Sequence, residues 1–194
     1  MTFHDVGDIT SDVAKTDGQV PISIAPGITL SGSATWTASD SSNVVIVTRS
    51  AYNETDYYKV PIIVPHRTTA LKGIKLKSIS VAYTLASSNT TDDDLEFHIV
   101  QQVLPVNGAA STGAVLAGDS DSDYDTSHNT KAKRLLSTGA PQLHLATVTI
   151  PTGEQAYLVD GAQLFLRVKA KDNGSADLAL ILTGAVANYD LAML

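Results

Sequence analysis

From Gly73 onward apolar and polar residues alternate with period two, the pattern of strands that bury one face. Ile74 and Leu76 stand on even numbers, whereas Ile79, Val81, Tyr83 and Leu85 stand on odd ones. Side chains alternate strictly across a strand, so one face stays apolar only if a residue is inserted. A β-bulge is expected at Lys77 and Ser78. Leu95, Phe97 and Ile99 alternate with Glu96 and His98, and Leu164, Leu166 and Val168 with Arg167 and Lys169. Leu143 and Leu145 give way to Val148 and Ile150, which predicts a second change of phase near Ala146 and Thr147. Residues 43–48 read as a buried strand. Residues 57–64 read as another, placed at an edge by Pro61, which cannot donate to a ladder. Asp172, Asn173, Gly174 and Ser175 predict a hairpin into residues 177–183. Residues 178–187 are apolar on both pleat faces, which implies a second buried surface beyond one sandwich core, most simply against copies of the chain.

The first part of the chain has a different texture. Residues 10–19 and 31–42 are small, polar and weakly periodic, with a short apolar island, Val20 to Ile24, between them. This predicts an extended N-terminal arm over residues 1–42, dispensable for folding and used for docking, ahead of a folded domain over residues 43–194. A long connection rich in Ala, Gly, Ser and Asp runs between Pro105 and Pro141. Within it residues 128–136 can form about two helical turns, capped by Asp125, Thr126 or Ser127. Seven to nine short strands, almost no helix and one long insertion predict an all-β fold. A β-sandwich of jelly-roll type is expected, with an immunoglobulin-type Greek key as the alternative.

Composition narrows the function more than it names it. At 194 residues the chain is one domain, or one domain with an arm, large enough to bury roughly 70% of its extended surface. A net charge of −7 disfavours DNA and anionic lipid as partners, since both need clustered Lys and Arg. With no cysteine there is no disulfide framework and no thiolate metal site. The opening residues show no basic segment followed by an apolar one, as a signal peptide would, and no apolar run nears the ~20 residues of a membrane helix.

The candidate chemistry is sparse. Asp119, Asp121, Asp123 and Asp125 place carboxylates at every second position, as several calcium loops do. The helix-loop-helix calcium signature needs Gly and Glu at the sixth and twelfth positions, where Tyr124 and Thr130 stand. The segment therefore reads first as a solvated acidic loop, with these four residues as weak calcium candidates. The histidines, at 4, 66, 98, 128 and 144, form no HxxxH or HExxH pair. His98 and His144 read as polar-face strand residues, and His128 as a pin for the long connection. No Gly-x-Ser-x-Gly elbow, paired glutamates or phosphate loop occurs, so no enzyme and no cofactor is expected. Trp36 reads as lying outside the core, and Tyr52, Tyr57 and Tyr58 as packing residues rather than a sugar platform.

Three stretches carry a resemblance: Leu71 to Tyr83, the Asp/Ser/Thr-rich loop running into Tyr124 to Thr130, and Thr183 to Tyr189 before an apolar tail. Over about residues 72–194 the chain resembles small jelly-roll virion proteins of tailed bacteriophages, of the capsid decoration or head-spike type. The resemblance implies a homo-oligomer, usually a trimer, bound to a major capsid or tail protein in a virion made in the host cytoplasm. It implies no catalytic residues. A ligand-binding β-sandwich, such as a carbohydrate-binding adhesin or tail receptor-binding module, is the alternative expectation.

Overall fold

The computed structural model describes residues 17–25, 27–31, 33–50, 54–63, 71–85, 93–103, 112–136, 142–153, 162–172 and 179–193. Eleven strands run in chain order: β1 (Asp17–Ile22), β2 (Ile28–Ser31), β3 (Trp36–Ser41), β4 (Val44–Arg49), β5 (Thr55–Ile62), β6 (Leu71–Leu85), β7 (Asp94–Val103), β8 (Thr112–Ala117), β9 (Gln142–Thr149), β10 (Ala162–Lys171) and β11 (Leu180–Met193). They form two antiparallel sheets. The first has the order β3-β4-β11-β6-β9, with β1 also on β11, and the second β2-β5-β10-β7-β8. From β4 to β7, and again from β8 to β11, the chain changes sheet at every step. The orders β4-β11-β6-β9 and β5-β10-β7-β8 are those of a jelly roll, which settles the choice against the immunoglobulin order.

The inward residues of both sheets make one core. Val47, Leu76, Ile79, Val81, Tyr83, Leu85, Leu180, Leu182 and Tyr189 come from the first sheet, and Tyr58, Val60, Leu95, Phe97, Ile99, Leu164, Leu166 and Val168 from the second. The expected bulge is present. Asn188 pairs with Ser78 and Tyr189 with Leu76, so Lys77 is the inserted residue that keeps Leu76 and Ile79 on the same face. Lys77 also accepts the Ile150 N–H at 2.8 Å. A second bulge lies in β11, where Leu182 opposes Tyr83 and Gly184 opposes Ala82. The inserted Thr183 moves the inward parity from Leu180 and Leu182 to Ala185, Ala187 and Tyr189. Much of the two-faced apolar character of residues 178–187 is therefore one core served in two phases.

Five expectations are corrected. Residues 17–41 are not an arm outside the domain. β1 pairs with β11, β2 with β5 and β3 with β4, and Ile22, Ile24 and Ala34 are buried. The expected boundary at 42/43 is a two-residue hairpin turn, with Ser42 and Asn43 at φ 55° and 67°. These strands escaped notice because they are short edge strands whose outer faces meet solvent; residues 1–16 lie outside the described residues. Asp172 does not open a hairpin, since β10 and β11 lie in different sheets. β9 pairs with β6 without a register shift, so there is no change of phase at Ala146. Instead His144, Ala146, Val148 and Ile150 point inward, while Leu143 and Leu145 are 70% and 61% exposed. Trp36 packs against the core, stacked on Tyr58 with ring centroids 4.8 Å apart. The strand of Pro61 is not an edge strand, since β2 lies outside β5, but β2 covers β5 only as far as Lys59 and, among the described residues, leaves that side of Pro61 unpaired.

Candidate functional site

The long connection closes one side of the sandwich. Beyond Ile99, β8 no longer covers β7, and the exposed ladder groups of β7 are met by side chains from residues 121–136. Tyr124 Oη accepts the Phe97 N–H at 2.8 Å and lies 3.0 Å from the Phe97 carbonyl and 3.1 Å from that of Gly118. Burial pushes this phenol above its ordinary pKa. Arg134, in the single turn of α1 (Lys131–Arg134) that Thr130 caps, donates to the Leu95 carbonyl, the His128 carbonyl and Asp121 at 2.8, 3.1 and 2.8 Å. Its guanidinium lies 4.3 Å from the centre of the Tyr124 ring. The other edge of the seam is β9, where Asp125 N–H donates to the Thr147 carbonyl and Thr147 N–H to Asp125 Oδ2.

This geometry disperses the acidic run. Asp119 is exposed, Asp121 faces Arg134, Asp123 accepts the Gly118 N–H, and Asp125 accepts from Ser127, Thr147 and His128. Among the described residues no three acidic or histidine side chains converge as metal ligands. Burial acts to raise the Asp125 pKa, but the Thr147 N–H and His128 outweigh it and hold the carboxyl below its ordinary value. His128 pins the connection as expected. His144 does not lie on the polar face: it stacks on Tyr83 at 4.8 Å, 5.6 Å from His128, with Nε2 2.9 Å from the Leu136 carbonyl. His98 does face outward but is only 3% exposed, with Nε2 3.0 Å from Glu96. His4, His66 and Tyr52 lie outside the described residues.

Among the described residues the two outer sheet faces are open to a partner, and they differ in kind. On the first sheet the outward rows read Thr37, Thr48, Ile181, Thr84, Leu143; then Gly184, Ala82, Leu145; then Pro21, Val186, Ser80, Thr147; then Gln19, Asn188, Ser78, Thr149. These rows hold no charged side chain; the face carries charge beyond them, at Asp190, Lys75 and the bulged Lys77. Two pairs of polar side chains in the rows bond each other, Ser80 with Thr147 at 2.9 Å and Asn188 with Ser78 at 3.0 Å, which lowers the cost of drying that part of the face.

The outer face of the second sheet is charged and aromatic. One row aligns Tyr57, Lys169 and Glu96, the next Lys59, Arg167 and His98, the next Pro61, Phe165 and Val100. Lys169 is 3.0 Å from Glu96 and 3.1 Å from Asp94. The His98 bond, against the opposing effect of burial and with help from Lys169, holds Glu96 down at about 2. Lys59 Nζ lies 3.8 Å from the centre of the Phe165 ring, and the Arg167 guanidinium 5.5 Å from that of Tyr57. Beside them Pro61, Ile62, Ala162, Gln163, Leu164 and Phe165 line a cleft of about 310 Å³.

Sequence reasoning did not find Lys59 and Arg167, which meet only through the β5–β10 register. It also passed over Arg49 and Asp56, a fully buried ion pair that joins β4 to β5 across the sandwich. Parity was the available signal: Arg49 shares it with Val47, and Asp56 with Tyr58, Val60 and Ile62.

No family model matches this chain, and no curated protein does. Among solved structures, a xylan-binding module, CBM15, is similar at 13% identity, with a TM-score of 0.45, over 89% of this chain and 97% of that one. The CBM22-2 xylan-binding domain of Paenibacillus barcinonensis Xyn10C is similar at 10% identity and a TM-score of 0.39, over 91% and 99%. A chain of infectious bursal disease virus, Gt strain, gives 14% and 0.34, over 89% of this chain and 33% of that one. The jelly-roll assignment stands on the strand order itself.

Proposed function

We propose that this β-sandwich is a non-catalytic virion structural protein, assembling as a homotrimer on the capsid or tail of a tailed bacteriophage, with the outer face of the first sheet at the contact. The observation that carries the proposal is the uncharged stretch of that face, from the row of Thr37 to the row of Gln19. Ile181, Val186, Ala82, Leu143 and Leu145 share it with small polar side chains, of which Ser80 and Thr147, and Ser78 and Asn188, already bond each other. A second copy is the occupant that such a face suits, because a chain of net charge −7 brings two copies together most cheaply where neither carries charge. The resemblance to decoration and head-spike proteins supplies the trimer and the particle.

Light scattering at micromolar concentration tests the assembly. The wild type is expected at three times the chain mass, and Leu143→Glu with Leu145→Glu at the chain mass with little change in far-ultraviolet dichroism. A well-behaved wild-type monomer would overturn it. Mixing with particles that lack the protein tests the docking, with saturation at a stoichiometry set by lattice symmetry. The alternative, a ligand-binding sandwich, is favoured by one observation only, the charged and aromatic face of the second sheet.

A further inference from the structure

We propose that the outer face of the second sheet is a binding surface for an acidic polysaccharide, with Lys59 and Arg167 receiving a sugar carboxylate beside the cleft that Pro61, Gln163 and Phe165 line. This goes beyond the assembly role of the opposite face and does not rest on it.

Three observations converge. Lys59 and Arg167 are directly opposite on neighbouring strands, where like charges repel. Burial, and then the nearby Arg167, hold the Lys59 ammonium below its ordinary pKa. The row runs on to His98 and contains no carboxylate, while Glu96 in the flanking row and Asp94 one row further on already serve His98 and Lys169. In a chain with 20 acidic residues against 13 basic ones, two adjacent cations without a carboxylate in their row call for an anion from outside.

The second observation is unmet bonding. Arg167 Nε is buried without a hydrogen-bond partner, and so is Nδ1 of His98. Leaving such a group unmet costs about 1–3 kcal/mol. No carboxylate among the described residues neutralises this guanidinium, and its charge is left for a charge-assisted bond to an external anion.

The third is what adjoins the cations. Phe165, which carries Lys59 on its ring, also lines the cleft, whose volume of about 310 Å³ stands at the small end of ligand sites. Pro61 and Phe165 give an apolar platform for the C–H face of a sugar ring. The amides of Gln163, in the cleft, and of Gln102, 3.3 Å from Lys59, can bond hydroxyls. An acidic peptide would use the cations but not the platform, so a uronic-acid polymer is the better match.

The full chain is titrated calorimetrically at low salt with an oligogalacturonide, its carboxyl-reduced counterpart and poly-L-glutamate. The oligogalacturonide is expected to bind saturably, the reduced sugar not at all, and poly-L-glutamate about tenfold more weakly or worse. Lys59→Gln and Arg167→Gln should each weaken binding about tenfold, and Phe165→Ala should weaken it too. Lys131→Gln, which removes a charge elsewhere, should leave it within about twofold. No saturable binding of the oligogalacturonide, equal affinity for poly-L-glutamate, or an equal loss with Lys131→Gln overturns the proposal. Should Phe165→Ala fail to fold, the two outward-facing glutamine variants decide the question. Light scattering on the same samples separates this from the assembly: a monomer that binds the sugar sustains one and sinks the other.

Discussion

Tyr124 stands in for a strand at Phe97: its hydroxyl accepts the Phe97 N–H at 2.8 Å and lies 3.0 Å from the Phe97 carbonyl. Both ladder groups on that edge of β7 are thereby met without a neighbouring strand. Replacing Tyr124 by Phe keeps the ring against Arg134 and removes the hydroxyl alone. The Phe97 N–H is then buried unmet, so Tyr124→Phe should lose about 2 kcal/mol in urea unfolding with an unchanged m value. A loss under about 0.5 kcal/mol would mean that water replaces the hydroxyl.

The same hub needs Gly118. Its φ of +101° is one that L side chains rarely adopt, and a Cβ there would come within 2.0 Å of the Phe97 carbonyl oxygen and 2.9 Å of the His98 Cα. Neither atom is the far end of a flexible side chain. Gly118→Ala should cost about 3 kcal/mol or more, whereas Gly153→Ala, with open space around it, should cost under about 1 kcal/mol. Thermal melts of the two variants check the contrast.

Arg49 and Asp56, each with no exposed surface, tie the first sheet to the second. Asp56 Oδ2 accepts Arg49 Nε at 3.1 Å and also meets Nη2, while Oδ1 accepts the Ala34 N–H at 3.1 Å. Asp56→Ala leaves a buried guanidinium uncompensated and should cost about 3–5 kcal/mol. Arg49→Met with Asp56→Leu removes both charges and should cost clearly less than the two single losses together. Additive losses in a denaturation cycle would show that the residues act separately.

These residues show what a sequence can and cannot disclose here. The Lys77 bulge is legible because it reverses a strict parity over four clear apolar positions on its C-terminal side. The β9 phase is not, since Leu143 and Leu145 face out and His144 faces in, and hydrophobicity alone reads that strand inside out. The Asn-Gly turn after Asp172 is a sound local signal that topology overrides, because β11 must enter the other sheet. Strands β1 to β3 bury too few residues to show a period. The outer faces depend on register between strands far apart in the chain, so neither the Lys59–Arg167 pair nor the uncharged rows can be assembled from local pattern.

The inward turn of His144 has a consequence in acid. Burial, the largest influence, and the nearby His128 hold the imidazole below its ordinary pKa near 6.5; the bond to the Leu136 carbonyl works the other way without prevailing. Tyr83 stacks on the ring, and Asp125 is bonded to His128. A base whose folded pKa is depressed is protonated first in the unfolded chain. Its contribution to stability is complete above about pH 6.5, falls as the pH drops below that value, and levels off once the folded pKa is passed. Asp125, also held below its ordinary value, acts the same way in a separate and lower window, beginning near pH 3.8. The measurement is the melting temperature of the wild type and of His144→Phe, which keeps the stack on Tyr83, at pH 7.5 and pH 5. The wild type should lose more between the two than the variant does. An identical loss in both would place the acid sensitivity elsewhere in the sandwich.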